Sequence, residues 1–362
     1  MGRAVLFFLL AISGGAAAQG LPSGSSLIDP VPVPRLILNL TARGGAERDA
    51  FLVAYGHALF SSPEILGPKA RAMGMSCGTC HTNGDINRDL FLNGLSDRKG
   101  GVDVTTGFFD GTAENGIHDP FDIPSLRGVR FTAPYGHDGR IASLREFIAQ
   151  VIVTEFGGAE PTTLMLDALT AFLDQLDFLP APFLSRDGRL NDKARASARR
   201  GEAIFDAHCA SCHQPNAYFV DGRRHDVGSG GGFDTPTLLG IAHTAPYMHD
   251  GSLPTFTAVV DFFDSKMGLA LDTVARADLA AYLEAVGTGE EPFQRRATNE
   301  PAIFAFTLEA LIARKDRFHA MLLIRSLAPA LDAIGEPILA DNWDEAKKRW
   351  DAYKATQREA RP

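Results

Sequence analysis

Cysteine and tryptophan are scarce in this chain, and long hydrophobic runs are absent. There are four cysteines and two tryptophans in 362 residues. The apolar run at residues 4–12 falls well short of the roughly 20 residues that a membrane-spanning helix needs. The formal net charge of −9 argues against a nucleic-acid partner and is compatible with a small basic protein that docks by electrostatic attraction.

The N-terminus has the pattern of an export signal. Arg3 precedes the short apolar run, and Ala16, Ala17 and Ala18 form an A-x-A cleavage site. We therefore expect residues 1–18 to be removed on export to the periplasm, leaving a soluble chain; an uncleaved anchor is the alternative. Residues 19–45 are rich in Pro, Gly and Ser and predict an extended lead-in.

All four cysteines occur in two C-x-x-C-H motifs, the attachment signature of c-type haem. Two thiols three residues apart reach the two haem vinyl groups, and the following imidazole reaches the iron. A zinc site or a redox dithiol would not explain a histidine after both pairs. The sequence predicts two covalent haem c groups held by Cys77, Cys80, Cys209 and Cys212, with His81 and His213 as iron ligands. No cysteine remains for a disulfide framework.

An internal repeat indicates a duplicated lobe. Residues 121–148 align without a gap with residues 233–260, and both copies contain FD-x-P and HDG segments. Amphipathic patterns at 164–176 and 273–286 predict closing helices that pack on the haem-bearing helices. The predicted lobes cover residues 46–180 and 189–289. Residues 290–362 predict a helical extension, with Asn342 as an N-cap, that packs on the lobes or forms a homodimer surface.

Residues 50–287 resemble the bacterial di-haem cytochrome c peroxidase family, which includes the di-haem enzyme that matures methylamine dehydrogenase. The resemblance is carried by GHALFSSPEILGPKARAMGMSCGTCH and DGRIASL in the first lobe, and by YFVDGRRHDVG, TPTL and TAPYMHDG in the second. It implies a mainly α fold of two tandem cytochrome c-like domains. It also implies a first haem that reacts with hydrogen peroxide and a second that relays electrons from a small cytochrome c or cupredoxin. A calcium ion often lies between the family's lobes.

The two lobes differ where a sixth iron ligand is expected. When the closing helices are aligned, Met267 falls opposite Phe156. A thioether binds haem iron and raises its potential, whereas a phenyl ring cannot bind. We predict that Met267 completes the second haem and that the first keeps an open position; an ordinary core methionine is the alternative.

Three residues near the open position are catalytic candidates. The family uses a carboxylate just after the segment that DGRIASL resembles, which indicates Glu146, with a solvated helix surface as the alternative. Arg145 would favour a developing anion. His137, in the HDG turn, would assist proton transfer, although both lobes have this histidine and fixing the turn is the simpler role.

The sequence departs from the family at two points, and three functions are therefore considered. Residues 82–117 lack the histidine that often caps the first iron, and the tryptophan that the family places between its haems has no evident match. We expect a periplasmic peroxidase. The alternatives are an oxidase of an organic or protein substrate and a non-enzymatic electron carrier.

Overall fold

The computed structural model describes residues 20–38, 47–289, 293–294, 300–327 and 331–359. The predicted signal peptide lies outside these residues. The chain is mainly helical, as predicted, and its strands are short. No helix in the described ranges is long and apolar enough to cross a membrane.

The first lobe is built on a pair of packed helices, α1 and α5, that enclose much of its core. A Cβ atom at Gly56 of α1 would collide with the Ala168 carbonyl of α5, so glycine permits the close approach. The helices of this lobe are α1 (Glu47–Phe60), α2 (Pro68–Ala72), α3 (Cys77–Cys80), α4 (Leu144–Gln150) and α5 (Thr163–Leu173), and a π-helical turn (Val151–Glu155) follows α4.

The second lobe repeats this arrangement. Its helices are α6 (Ala196–His208), α7 (Phe256–Met267) and α8 (Thr273–Gly287). Helix α8 packs on α6. A Cβ atom at Gly201 of α6 would collide with the Asp278 carbonyl of α8, as one at Gly56 would collide with that of Ala168. In lobe two the closing helix therefore packs on the helix that ends at Cys209. In lobe one it packs on α1, which ends well before Cys77, because residues 61–76 intervene.

Three two-stranded antiparallel ladders hold the connecting segments. The strands are β1 (Val33–Pro34), β2 (Gly101–Val102), β3 (Phe121–Asp122), β4 (Arg224–Asp226), β5 (Gly232–Asp234) and β6 (Phe293–Gln294). The pairs are β1 with β6, β2 with β3, and β4 with β5. Strands β3 and β5 are the FD segments of the two repeat copies, so each lobe anchors its repeat in a ladder.

The C-terminal extension packs on the first lobe. Its helices are α9 (Glu300–Ala313), α10 (Arg317–Leu327), α11 (Asp332–Leu339) and α12 (Trp343–Glu359). Trp343 and Trp350 are buried in a core that is continuous with that of lobe one. Asn342 caps α12 by accepting from the Glu345 amide at 3.2 Å, as predicted. A homodimer through this extension stays a prediction.

Candidate di-haem site

The two C-x-x-C-H segments adopt the same turn. In lobe one the His81 amide donates to the Cys77 carbonyl, and in lobe two the His213 amide donates to the Cys209 carbonyl, both at 2.9 Å. Each imidazole therefore follows its first cysteine by one turn. None of the four thiols forms a disulfide.

The FD-x-P segment of each repeat copy orients an imidazole. The Pro124 carbonyl lies 3.0 Å from His81 Nδ1. His213 Nδ1 donates to the Phe219 carbonyl at 3.1 Å and is also hydrogen-bonded to the Pro236 carbonyl. Because a carbonyl only accepts, Nδ1 carries the proton in both rings and the Nε2 lone pair is left for a metal. Burial lowers the pKa of His81 to about 4, which keeps this ring neutral.

The thiols fit covalent attachment better than redox chemistry. Burial raises the pKa of Cys77 and Cys80 to about 12 and that of Cys209 to about 11. A redox dithiol needs a depressed pKa, so these thiols are not poised for exchange. Two buried thiols beside a neutral, oriented imidazole are the donor set that haem c requires.

The described residues bring together one other cluster with metal-site geometry. Cys212, Asp221 and His225 offer ligand atoms that lie within 4.8 Å of one another. His225 Nε2 and Asp221 already form a pair at 2.7 Å, and Cys212 belongs to a haem motif. No cluster of three acidic side chains occurs in the described chain. The calcium ion that the resemblance implies therefore stays unassigned.

The structure supports the alignment around the sixth ligand. Ser143 and Thr255 cap matching helices through their hydroxyl groups. Each helical segment is followed by a glycine in the left-handed conformation, Gly157 with a φ of 64° and Gly268 with a φ of 63°. Lobe one has one residue more between the cap and the glycine, and the π-helical turn accommodates it. Phe156 and Met267 directly precede these glycines and therefore occupy matching positions.

Phe156 lies in the core. Its ring packs against that of Phe109, with 4.7 Å between the centroids, and the side chain is buried. A buried phenyl ring therefore occupies the position in lobe one at which lobe two has the Met267 thioether.

Glu155 is buried and paired with an arginine. It is 7% exposed, and its Oε1 accepts from Arg140 Nη2 at 2.8 Å. Arg140 belongs to the DGR turn and also pairs with Asp138 at 3.1 Å. Burial raises the pKa of Glu155, and the nearby guanidinium opposes the rise. The second lobe has Ser252 at the position of Arg140, so this pair exists in lobe one alone.

Met267 lies outside the core. The side chain is 52% exposed at the C-terminal end of α7, which removes the alternative of a core methionine. An accessible thioether at this position is consistent with the predicted ligand role, which stays a prediction.

The three catalytic candidates lie in different surroundings. Glu146 is exposed in the first turn of α4. Arg145 forms an ion pair with Asp167 at 3.2 Å. His137 Nε2 donates to the Asp122 carbonyl at 3.2 Å, at the contact between the lobes. Their catalytic roles stay predictions. Glu155 is the candidate that the sequence analysis missed, although it directly precedes Phe156, the residue that the sequence places opposite Met267.

Comparisons with known proteins cover both haem halves. The cytochrome c family model matches residues 198–287. The methylamine utilization protein MauG of Methylorubrum extorquens is 28% identical over 296 residues, which are 64% of this chain and 77% of MauG. These matches support the resemblance to the di-haem cytochrome c peroxidase and MauG family. Within the family, cytochrome-c peroxidase IdrP1 of Pseudomonas sp. strain SCT is 36% identical over 84 residues, or 20% of this chain and 21% of IdrP1.

A third relative is the hydrazine synthase subunit gamma of Kuenenia stuttgartiensis. It is 24% identical over 216 residues, which are 43% of this chain and 60% of the subunit. The chain thus spans less than two thirds of this relative, and the matches support a c-type haem domain without distinguishing peroxide reduction from other oxidations.

Proposed function

We propose that this chain is a di-haem c-type oxidoreductase that reduces hydrogen peroxide to water. Electrons enter at the second lobe from a small cytochrome c or cupredoxin, and peroxide reacts at the first. One observation carries the proposal: at matching positions, lobe one has the buried ring of Phe156 and lobe two has the exposed thioether of Met267. A bound haem c supplies an iron centre that exchanges single electrons and reacts with peroxide where a coordination position is free.

Glu155 is suited to move the peroxide proton. Cleavage of the O–O bond needs a group that takes a proton from the near oxygen and returns it to the leaving oxygen. A carboxyl whose pKa is raised by burial holds a proton closer to neutral pH than an ordinary glutamate does. Arg140 holds the carboxyl in one orientation through the 2.8 Å bond, so it acts as a positioning residue.

Met267 suits the second lobe to electron transfer and not to the reaction with peroxide. A thioether ligand raises the potential of haem iron and leaves no position for an exogenous ligand. The second lobe would therefore store an electron and pass it on. The periplasm, proposed from the N-terminal export pattern, is where such a donor protein and c-type haem occur together.

Turnover with a reduced donor tests the proposal. The protein carrying both haems is mixed with hydrogen peroxide and reduced cytochrome c or cupredoxin, starting from the fully oxidised and from the half-reduced state. We expect two donor molecules to be oxidised for each peroxide consumed. Absence of turnover from both states would reject peroxide reduction.

Oxidation of an organic or protein substrate is the second candidate. Two observations favour it: the MauG match covers 64% of this chain against 20% for the peroxidase, and both tryptophans lie in the C-terminal extension, away from the lobe contact. A peroxide-oxidised state that forms readily but accepts electrons slowly from small redox proteins would support this candidate. An electron carrier would be inert to peroxide, cyanide and carbon monoxide.

A further inference from the structure

A reciprocal pair of backbone hydrogen bonds joins the two repeat copies. The Asp122 amide donates to the His249 carbonyl at 2.7 Å, and the Asp234 amide donates to the His137 carbonyl at 3.0 Å. Each donor belongs to an FD-x-P segment, and each acceptor belongs to the HDG turn of the opposite lobe. The two bonds exchange under an approximate twofold rotation, the geometry of equivalent surfaces that meet each other.

Each donor lies close to the carbonyl that holds a metal-binding imidazole. Asp122 is two residues before Pro124, whose carbonyl is bonded to His81. In the same way, Asp234 is two residues before Pro236, whose carbonyl is bonded to His213. A short stretch of backbone therefore connects each proximal imidazole to the contact between the lobes.

Within each lobe, the ring of the HDG histidine packs on the phenylalanine of the FD-x-P segment. The His249 ring stacks on Phe233, with centroids 3.9 Å apart and planes at 17°. The His137 ring packs on Phe121, with centroids 4.8 Å apart and planes at 32°. Phe233 directly precedes Asp234, and Phe121 directly precedes Asp122, so each ring contact leads back to an FD-x-P backbone.

We propose that the two repeated segments form a pair of parallel electron paths between the imidazoles of His81 and His213. The first path runs through Pro124, Asp122, His249, Phe233 and Pro236. The second is its symmetry counterpart and runs through Pro236, Asp234, His137, Phe121 and Pro124. The inference rests on the proposed function, in which electrons enter at the second lobe and are used at the first.

The electron transfer between the two haems breaks and forms no covalent bond. One electron passes from the iron at His213 to the iron at His81, so one centre is oxidised and the other is reduced by one electron. The donor protein of the proposed function replaces that electron. No proton moves, because every hydrogen bond in the paths keeps its donor and its acceptor. Histidine and phenylalanine rings are not readily oxidised, so the electron tunnels across the contact and no radical resides on the protein.

An aromatic contact between the two lobes offers a competing route for the electron. The Tyr218 ring stacks on Phe131, with centroids 4.1 Å apart and planes at 15°. Tyr218 precedes Phe219, whose carbonyl accepts from His213. Tyrosine can be oxidised, so this contact would carry a different mechanism. An experiment must separate it from the paired paths.

Pulse radiolysis of the protein carrying both haems separates the two routes. A single electron is delivered to the oxidised protein, and its redistribution between the haems is followed by absorbance. Phe233→Ala and Phe121→Ala are each measured alone and together, and Phe131→Ala is the matched control, with the same change at the competing contact. Either single variant should slow the transfer, because each removes a ring from one path. Phe121 also packs near the His249 ring, with centroids 6.0 Å apart, so Phe121→Ala should have the larger effect. The double variant should be slower than both, and the control should match the wild type.

A pair of variants at His249 covers the case in which a phenylalanine variant does not fold. His249→Phe keeps a ring on Phe233 and should retain the wild-type transfer rate, whereas His249→Ala should slow it. Slowing by Phe131→Ala, with no effect of the double variant, would overturn the proposal in favour of Tyr218. Peroxide turnover is measured separately. Normal transfer without turnover would count against the proposed function and leave the paths intact.

Discussion

The buried carboxyl group in lobe one gives the sharpest test of the proposed chemistry. Glu155→Gln keeps the shape of the side chain and removes its proton transfer. General acid–base catalysis contributes about 10²–10⁴-fold, so we expect peroxide turnover to fall by about that factor. The loss should be measured as the rate of peroxide consumption with a saturating reduced donor.

The stability of this variant should change little. The Glu155 side chain is 10% exposed, but its partner Arg140 is 36% exposed, so solvent screens the pair. A screened pair contributes up to about 1 kcal/mol, and Arg140 keeps its bond to Asp138 in the variant. Thermal unfolding and haem content should therefore match the wild type, and lower turnover could not be attributed to misfolding.

Glu146→Gln decides between the two candidate carboxyl groups. It makes the same chemical change in the same helical segment, at a carboxyl that is exposed to solvent. If Glu155 is the group that moves the proton, Glu146→Gln leaves turnover unchanged. Wild-type turnover in Glu155→Gln, or a large loss in Glu146→Gln, would refute the assignment and return the role to the residue that the sequence first indicated.

Three further predictions concern other parts of the molecule. Burial, with the nearby Asp138 and Asp221, raises the pKa of Asp234 to about 7, so the folded chain holds a proton that the unfolded chain releases and stability falls as pH rises from about 4 to about 7. Asp234→Asn should remove about 1–3 kcal/mol of this loss after screening, seen as a gain in melting temperature over wild type that is larger at pH 8 than at pH 5; an equal difference at both pH values would contradict it. Met267→Leu should lower the midpoint potential of the second haem alone in a redox titration, and a shift of both potentials or of neither would oppose the ligand role. Trp350→Ala should cost about 3–5 kcal/mol in urea unfolding, because the side chain is 1% exposed in the core shared with lobe one, and a small cost would mean that the extension is only loosely attached.

Local patterns in the sequence were sufficient to predict the two closing helices and the start of the last helix. The apolar spacing at 164–176 and 273–286 matches α5 and α8, and Asn342 marks the start of α12. The predicted helical extension is divided into α9, α10, α11 and α12. Lys315, between α9 and α10, adopts a φ of 55°, and nothing in its local sequence indicates this left-handed conformation.

The sequence predicted those parts of the candidate site whose residues lie close together along the chain. The C-x-x-C-H motifs identify six residues because the chemistry fits within one turn. The carbonyl of Pro124 could not be identified as the partner of His81, since 43 residues separate them and only the fold brings them together. The reciprocal bonds of Asp122 and Asp234 depend on how the lobes meet, which no local pattern specifies.

Electron paramagnetic resonance of the fully oxidised protein tests the central claim most directly. It detects each iron centre separately and reports its coordination. Because Phe156 and Met267 occupy matching positions, we predict two unlike signals, one from a six-coordinate methionine-ligated haem and one from a haem without that ligand. Met267→Leu should change the first signal only. Two identical six-coordinate signals in the wild-type protein would contradict the account.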